Sequence, residues 1–405
     1  MAGDARGFRY AAPRPDRRLT AIAKALFRMT ARILHIITGL DQGGAERSLV
    51  NLLESDLGRR FDHHVLSLGD PGYYGPFLEE QGIAVDTLGL AGPGSIARGV
   101  GRLRRVVRDF RPDIVQGWMY HGNLVAELAA FGRPAATAWN IRQSLYRIGT
   151  EKPGTRAVIR LLGRLSSRPR VILYNSYQSR THHEAFGFAS APGRVIANGF
   201  DTARWRPDAA RRAAFRAALG VGAEVPVLGF VGRFHPQKDV PTFLAAAGEA
   251  MMAQPDLHVA MVGEGLGGES EALAPWREKL PHARFHPLGR RGDIEAILPG
   301  FDFFCLSSSS EAFPNVIGEA MAAGLPCIAT DVGDCARLMG GIGRIVPRGD
   351  SVQMAEAIGE MARMDLARRA EIGEAARARI IAVYSLDATV DAYTELYDSI
   401  MKRDN

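Results

Sequence analysis

Two stretches in the second half of the chain carry residue types suited to a ligand that joins hydroxyls to phosphate. The first is Ser307-Ser-Ser-Ser-Glu311-Ala-Phe-Pro-Asn-Val-Ile-Gly-Glu319. Four serines form a polar loop after a buried run, and Pro314 suits the first turn of a following helix. Glu311 then stands before the helix and Glu319 about one and a half turns inside it. Free N–H groups of the helix start can receive a phosphate, with one carboxylate on each side. Taken alone, the spacing equally fits Glu311 as a cap and Glu319 as a surface residue. The second stretch is Val231-Gly232-Arg233-Phe-His-Pro-Gln-Lys238. Its two cations can aim at one diphosphate, Arg233 through a bidentate fork and Lys238 as a point charge. An ordinary basic loop would read the same, but two such stretches on strand ends of one domain support each other.

These residues need strand ends to hold them. Arg32–Thr38 is a short continuous apolar run followed by a glycine turn and a helical spacing, the opening of a doubly wound α/β domain. Runs at 64–68, 113–117, 136–139 and 171–175 continue the alternation. A turn-rich segment, Asn198–Pro207, reads as a linker. A second series follows at 226–232, 257–263, 284–287, 301–307 and 326–331. Two βα series predict two similar α/β domains, residues 30–200 and 201–385, facing a cleft. The cleft beyond the carboxyl ends of the strands is the default ligand site.

Composition narrows the classes. At 405 residues, 46% hydrophobic and 23% charged, the chain is long enough for two full cores and too apolar for wholesale disorder. No apolar run reaches the roughly 18–20 residues of a membrane span. Cys305, Cys327 and Cys335 are too few and too scattered for a disulfide framework or a zinc site, which predicts a reducing, cytoplasmic compartment. Residues 1–29 hold seven Lys/Arg and two Asp and read as a basic extension, expected to be disordered or to precede a true start at Met29, with a short amphipathic helix as the other option.

The order of motifs is more specific than any one of them. Gly-Arg-Phe…Gln-Lys, then Val-Gly-Glu-Gly at 262–265, then Glu311-x7-Glu319, then Gly-Leu-Pro-Cys-Ile-Ala-Thr-Asp331 resembles the retaining glycosyltransferases of family 4, which have the GT-B fold. Asp41-Gln-Gly-Gly-Ala-Glu46 and Asn198-Gly-Phe-Asp201 match as well, so the resemblance covers residue 30 to the C-terminus. It implies a nucleotide-diphosphate sugar as donor and a saccharide or lipid-linked acceptor of bacterial surface-polysaccharide or glycolipid assembly. Arg233 and Lys238 would neutralise the diphosphate. Glu311 would meet hydroxyls of the transferred sugar, Glu319 those of the ribose, and the amides of Asn315, Val316 and Ile317 the phosphate. Gly43 and Gly44 would let the first-domain loop approach the donor. Glu264 falls at the nucleobase pocket, and His121 at the family's catalytic-site histidine. Arg142 and Gln143, just past the strand 136–140, could read the acceptor or a phosphate. The C-terminal helix from Leu386, within 386–405, would pack back on the first domain. No Asp-x-Asp occurs, which predicts a metal-independent enzyme without a cofactor, its electrostatic work done by Arg233, Lys238 and a helix start.

Charge is uneven. Residues 1–200 carry 28 Lys/Arg against 16 Asp/Glu, and residues 201–405 carry 22 against 28. Arg98, Arg102, Arg104, Arg105, Arg108 and Arg111 crowd one helical stretch, and Arg156, Arg160 and Arg164 form a stripe beside leucines. Such stripes suit a peripheral position on an anionic inner membrane face, or simply a solvated helix. No aromatic platform accompanies them, so nucleic acid is not expected. Three other functions compete with this one. An epimerase or phosphorylase could use the same scaffold. A nicotinamide oxidoreductase would use the glycines of 263–268, but lacks an acidic residue about 20 positions on. A non-catalytic adaptor would have no use for Arg233, Lys238, Glu311 and Glu319 together.

Overall fold

The computed structural model describes residues 30–90, 95–146 and 148–402. The extension expected at 1–29 lies outside the described residues. The first unit runs β1 (Arg32–Ile37), α1 (Gly44–Glu54), α2 (Asp56–Arg60), β2 (Asp62–Ser67), α3 (Tyr74–Glu80), β3 (Ala84–Thr87), α4 (Ile96–Phe110), β4 (Ile114–Trp118), α5 (Met119–Ala130), β5 (Ala136–Ile141), α6 (Pro153–Leu165), β6 (Val171–Tyr174), α7 (Tyr177–Phe186) and β7 (Gly193–Val195). The second runs α8 (Ala209–Leu219), β8 (Val227–Val231), α9 (Val240–Ala253), β9 (His258–Val262), α10 (Ala274–Arg277), β10 (Phe285–Pro287), α11 (Ile294–Ile297), β11 (Phe303–Leu306), α12 (Asn315–Ala322), β12 (Cys327–Thr330), α13 (Cys335–Met339), β13 (Arg344–Val346), α14 (Ser351–Arg363) and α15 (Leu366–Tyr384). A last helix, α16 (Leu386–Lys402), follows.

Each unit holds one parallel sheet. The orders are β3-β2-β1-β4-β5-β6-β7 and β10-β9-β8-β11-β12-β13. Parallel strands covered by helices on both faces read as unbroken apolar runs, which is why the central ones stand out. Ile33, Leu34, Ile36 and Ile37 of β1 and Phe303 to Leu306 of β11 have no exposed surface. The sheets exceed the five strands per unit expected from sequence by β3, β7 and β13. All three lie at sheet edges and are partly exposed, so they lack such runs.

In both sheets the order reverses between the first strand and the fourth, at β1/β4 and at β8/β11. A crevice opens there, because the two connections leave in opposite directions. The residues singled out from sequence follow these strands. Gly43 and Gly44 follow β1, His121 follows β4, Arg233 and Lys238 follow β8, and Glu311 follows β11.

Two chain crossings join the units side by side. The Phe200 N–H donates to the Tyr384 carbonyl and the Leu386 N–H to the Phe200 carbonyl, both at 2.9 Å. Beyond this point α16 lies on the first sheet. Val390, Tyr393 and Tyr397 share a core with Ile33 and Trp118, and Asn140 Nδ2 donates to Tyr393 Oη at 2.9 Å.

Candidate active site

The second unit's loops lie against one another before they meet any ligand. Gly232 N–H donates to Val262 O at 2.9 Å, and Phe234 N–H to Glu264 O at 2.8 Å. This contact needs glycine at 263. Its φ is +151°, and a Cβ there would overlap the Gly232 carbonyl. The glycine run 263–268 thus serves loop packing. It bridges onto Leu288 instead of opening a long helix, so the dinucleotide fingerprint lacks its structural context. Glu264 itself is exposed at the end of β9.

Lys238 and Glu311 meet. Lys238 Nζ lies 2.5 Å from Glu311 Oε1, which also accepts from Ser308 Oγ at 2.7 Å. Ser307 Oγ donates to the Lys238 carbonyl at 2.8 Å, so the serine loop of β11 clamps the lysine loop of β8. The next residue, Asp239, has φ +46°, a conformation that costs a non-glycine residue about 1–3 kcal/mol. Arg233 is exposed and makes no side-chain hydrogen bond or ion pair among the described residues. One cation is therefore held by a carboxylate and the other is free to meet an anion.

Helix α12 begins one residue later than expected from sequence. Pro314 is its N-cap, not part of its first turn. The N–H groups of Asn315 and Ile317 bond to Phe313 O and Pro314 O, which leaves that of Val316 without a partner among the described residues. Asn315 Oδ1 accepts from Asn198 Nδ2 of the linker at 2.5 Å. Glu319 faces a pocket of about 250 Å³ with Arg47 and Arg204. Loss of water pushes its carboxyl pKa up to about 7, against the pull of both guanidiniums.

The first unit supplies the facing wall. A Cβ on Gly43 would overlap the Glu46 carboxylate, whereas one on Gly44 would meet nothing within 4 Å. Gly43 thus makes room for Glu46, and the Gly44 side is open to the cleft. Gln42 Oε1 accepts from Arg290 Nη2 at 2.8 Å, tying this loop to the one after β10. At the end of β4, Met119 has φ +62°. This strained turn throws His121 onto the first turn of α5, half-buried. Burial lowers the His121 pKa and Glu151 opposes it, so the imidazole is neutral near pH 7. Glu151 accepts from Gln143 Nε2 at 3.0 Å.

Arg142 occupies a different place from Gln143. Its guanidinium lies over the Trp118 ring, 5.4 Å from the centroid, and donates to Asn140, Asn198 and Tyr393. It joins β5, α16 and the linker, and only its Nε is left unpaired. A cleft of about 1120 Å³ runs past it, lined by Gln143 and Glu151 on one side and by Gln237, Ser309 and Glu311 on the other. Sequence reasoning missed Arg47, Arg204 and Glu151, which are remote in sequence from the motifs they face. Among the described residues no cluster of three His, Cys, Asp or Glu could hold a metal.

Residues 42–204 match the family described as Glycosyltransferase Family 4, and residues 225–364 the one described as Glycosyl transferases group 1. The chain belongs to glycosyltransferase family 4. As a member it is a sugar transferase with a nucleotide-sugar donor. EpsF of Bacillus subtilis, whose own glycosyltransferase assignment is provisional, is 25% identical over 335 residues, 74% of this chain and 79% of that one. The D-inositol 3-phosphate glycosyltransferase of Saccharomonospora viridis is 31% identical over 221 residues, and the match spans about half of each protein, 51% and 50%. Among solved structures, Anabaena HepE in complex with UDP aligns with a TM-score of 0.79 at 23% identity, over 91% of this chain and 100% of that one. The sucrose-phosphate synthase of Thermosynechococcus elongatus aligns at 0.76 and 18% identity, over 92% and 100%. These likenesses show the GT-B fold of the family 4 chain. Among its described residues, no helix is long and apolar enough to cross a membrane.

Proposed function

We propose that this glycosyltransferase moves a hexose, with retention, from a nucleotide-diphosphate sugar to a saccharide or lipid-linked acceptor of bacterial surface-polysaccharide or glycolipid assembly. The observation that carries it is the Lys238–Glu311 pair at the β8/β11 switch point, with Arg233 on the same loop as Lys238 and the α12 start sharing a pocket with Gly44. UDP is the first nucleotide to try, since HepE binds it in a chain of the same fold.

As the glycosidic bond breaks, its electron pair passes to the β-phosphate oxygen. Arg233, Lys238 and the Val316 N–H would receive that growing charge and so favour the transition state over the bound donor. Glu311, held by Lys238 and Ser308, would accept hydrogen bonds from the departing hexose. The acceptor oxygen forms its new bond to the anomeric carbon on the face the phosphate leaves, and its proton goes to the phosphate oxygen. Neutral His121 would orient hydroxyls there. The cleft between Gln143 and Gln237 would hold the acceptor.

A membrane-bound acceptor is supported by the outer face of the first unit. Helices α4, α5 and α6 lie side by side. Arg98, Arg104, Arg105, Arg160 and Arg164 are exposed there, and so are Val100, Leu128, Phe131 and Leu161. Cations interspersed with apolar side chains suit an anionic lipid surface at roughly 1 kcal/mol per arginine.

The test is a transfer assay with UDP-, GDP- and ADP-hexoses, lipid-linked and free saccharide acceptors, and NMR of the product anomer. The proposal expects one donor to react with retention and with the same rate in a chelator. Inversion, or activity that only a divalent metal restores, would refute it.

A further inference from the structure

Asp334 stands at the N-cap position of its own short helix α13, yet makes no capping bond to it. Its carboxylate reaches across the cleft instead. Tyr177 N–H donates to Oδ2 at 2.9 Å and Gln178 N–H to Oδ1 at 3.0 Å. These are the first two N–H groups of α7, which belongs to the other sheet. The N-cap of α7, Ser176, serves only the third, accepting from Ser179 N–H at 2.9 Å. A helix start leaves its first N–H groups without internal partners, and a carboxylate there is favoured by both hydrogen bonding and the helix dipole. The start of α7 is therefore completed by a residue of the second unit.

The neighbours of Asp334 reach across in the same way. Gly333 N–H donates to Tyr146 Oη of the first unit at 2.8 Å. The Arg337 guanidinium lies 3.9 Å from the centroid of the Tyr177 ring. The same segment touches the loop of Glu311. Asp334 N–H donates to Ala312 O at 3.2 Å, and a Cβ on Gly333 would lie 2.7 Å from the carbonyl oxygens of both Glu311 and Ala312.

We infer that Asp334 is a positioning residue for sugar transfer. By capping α7 across the cleft it latches the two units closed, and through the 333–334 backbone it fixes the loop that presents Glu311 to the hexose. The inference rests on the proposed role of Glu311. Arg233 and the loops after β9 and β10 lie outside the latch, so its loss bears on the hexose end of the donor and spares most of the nucleotide contacts. Opening would loosen the reacting centre and admit water, as loss of domain closure does in general.

The experiment combines kinetics with amide hydrogen exchange on full-length wild type, Asp334→Ala, Asp334→Asn and Tyr146→Phe. Asp334→Ala is expected to lower transfer kcat at least about tenfold while donor KM stays within about twofold. Donor hydrolysis should rise relative to transfer. Exchange should quicken at Tyr177 and Gln178 and also across residues 308–313. Asp334→Asn, which keeps one acceptor oxygen, and Tyr146→Phe should fall between. Unchanged kcat with unchanged exchange at 308–313 would overturn the inference. So would a loss of donor affinity equal to the loss of kcat together with a lowered Tm, which marks a merely structural residue. If wild type transfers sugar from no donor, the functional proposal fails by itself. Exchange at 308–313 in Asp334→Ala then decides the latch alone: quickened supports it, unchanged refutes it.

Discussion

Glu319 and Lys238 show how one residue's surroundings set its role. Glu319 titrates near pH 7 because it is desolvated and the cations nearby, Arg47 and Arg204, only partly compensate. Its pKa is raised in the folded state, so the folded protein holds more protons than the unfolded chain between about pH 4.5 and 7. Stability should therefore fall as pH rises through that window, by an order of 1–3 kcal/mol. Glu319→Gln should flatten the curve of unfolding free energy against pH. If ribose hydroxyls donate to this carboxylate, nucleotide affinity should rise across the same window in wild type and not in the variant. A calorimetric titration at pH 6 and pH 8 would show it, and equal affinity at both would argue against ribose contact. The motif spacing announced Glu319 and Glu311 as a pair. It could not announce the ion pair of Glu311 with Lys238, which joins residues 73 positions apart, nor that Arg142 is tied to Tyr393 of the last helix.

At the scale of elements, loop order and strand order together account for the site. The central strands were legible because burial on both faces demands unbroken apolar runs, as in β1 and β11. Edge strands β3, β7 and β13 were not, since an edge with exposed residues carries no such run. The Arg233, Lys238 and Glu311 loops were legible as polar insertions after buried runs. The Asp334 clasp was not, because a carboxylate capping a helix in the other unit leaves no local pattern. Helix α12 is held from behind by the linker, where a Cβ on Gly318 would overlap the Phe200 ring. Gly318→Ala should force the helix off Phe200 and lower stability by about 1–3 kcal/mol, with donor affinity falling alongside as the Val316 amide and Glu319 shift. A variant as stable as wild type in denaturant titration would show that the packing is looser than described.

For the whole molecule, residues of both units line common pockets, Gly44 and Arg47 with Asn315 and Glu319 in one and Gln143 and Glu151 with Gln237 and Glu311 in the other. Asn198, Asn315 and Arg142 at the linker, Arg290 with Gln42 at one rim and Asp334 with α7 at the other bind the units together. The charge asymmetry follows this division. The first unit carries arginines on its outer helices, and the second carries Arg233, Lys238, Glu311 and Glu319. Reversing Arg156, Arg160 and Arg164 to Glu should cut binding to anionic liposomes severalfold and leave nucleotide affinity unchanged. Equal liposome binding by both proteins would remove the membrane from the account. The central claim, that Arg233 and Lys238 receive the diphosphate, is tested most directly by calorimetry of a nucleoside diphosphate against its nucleoside. Wild type should favour the diphosphate by about a hundredfold or more, the order expected of two charge-assisted contacts. The Arg233→Ala/Lys238→Ala protein, folded with an ordinary Tm, should lose most of that preference; an undiminished preference would contradict the claim.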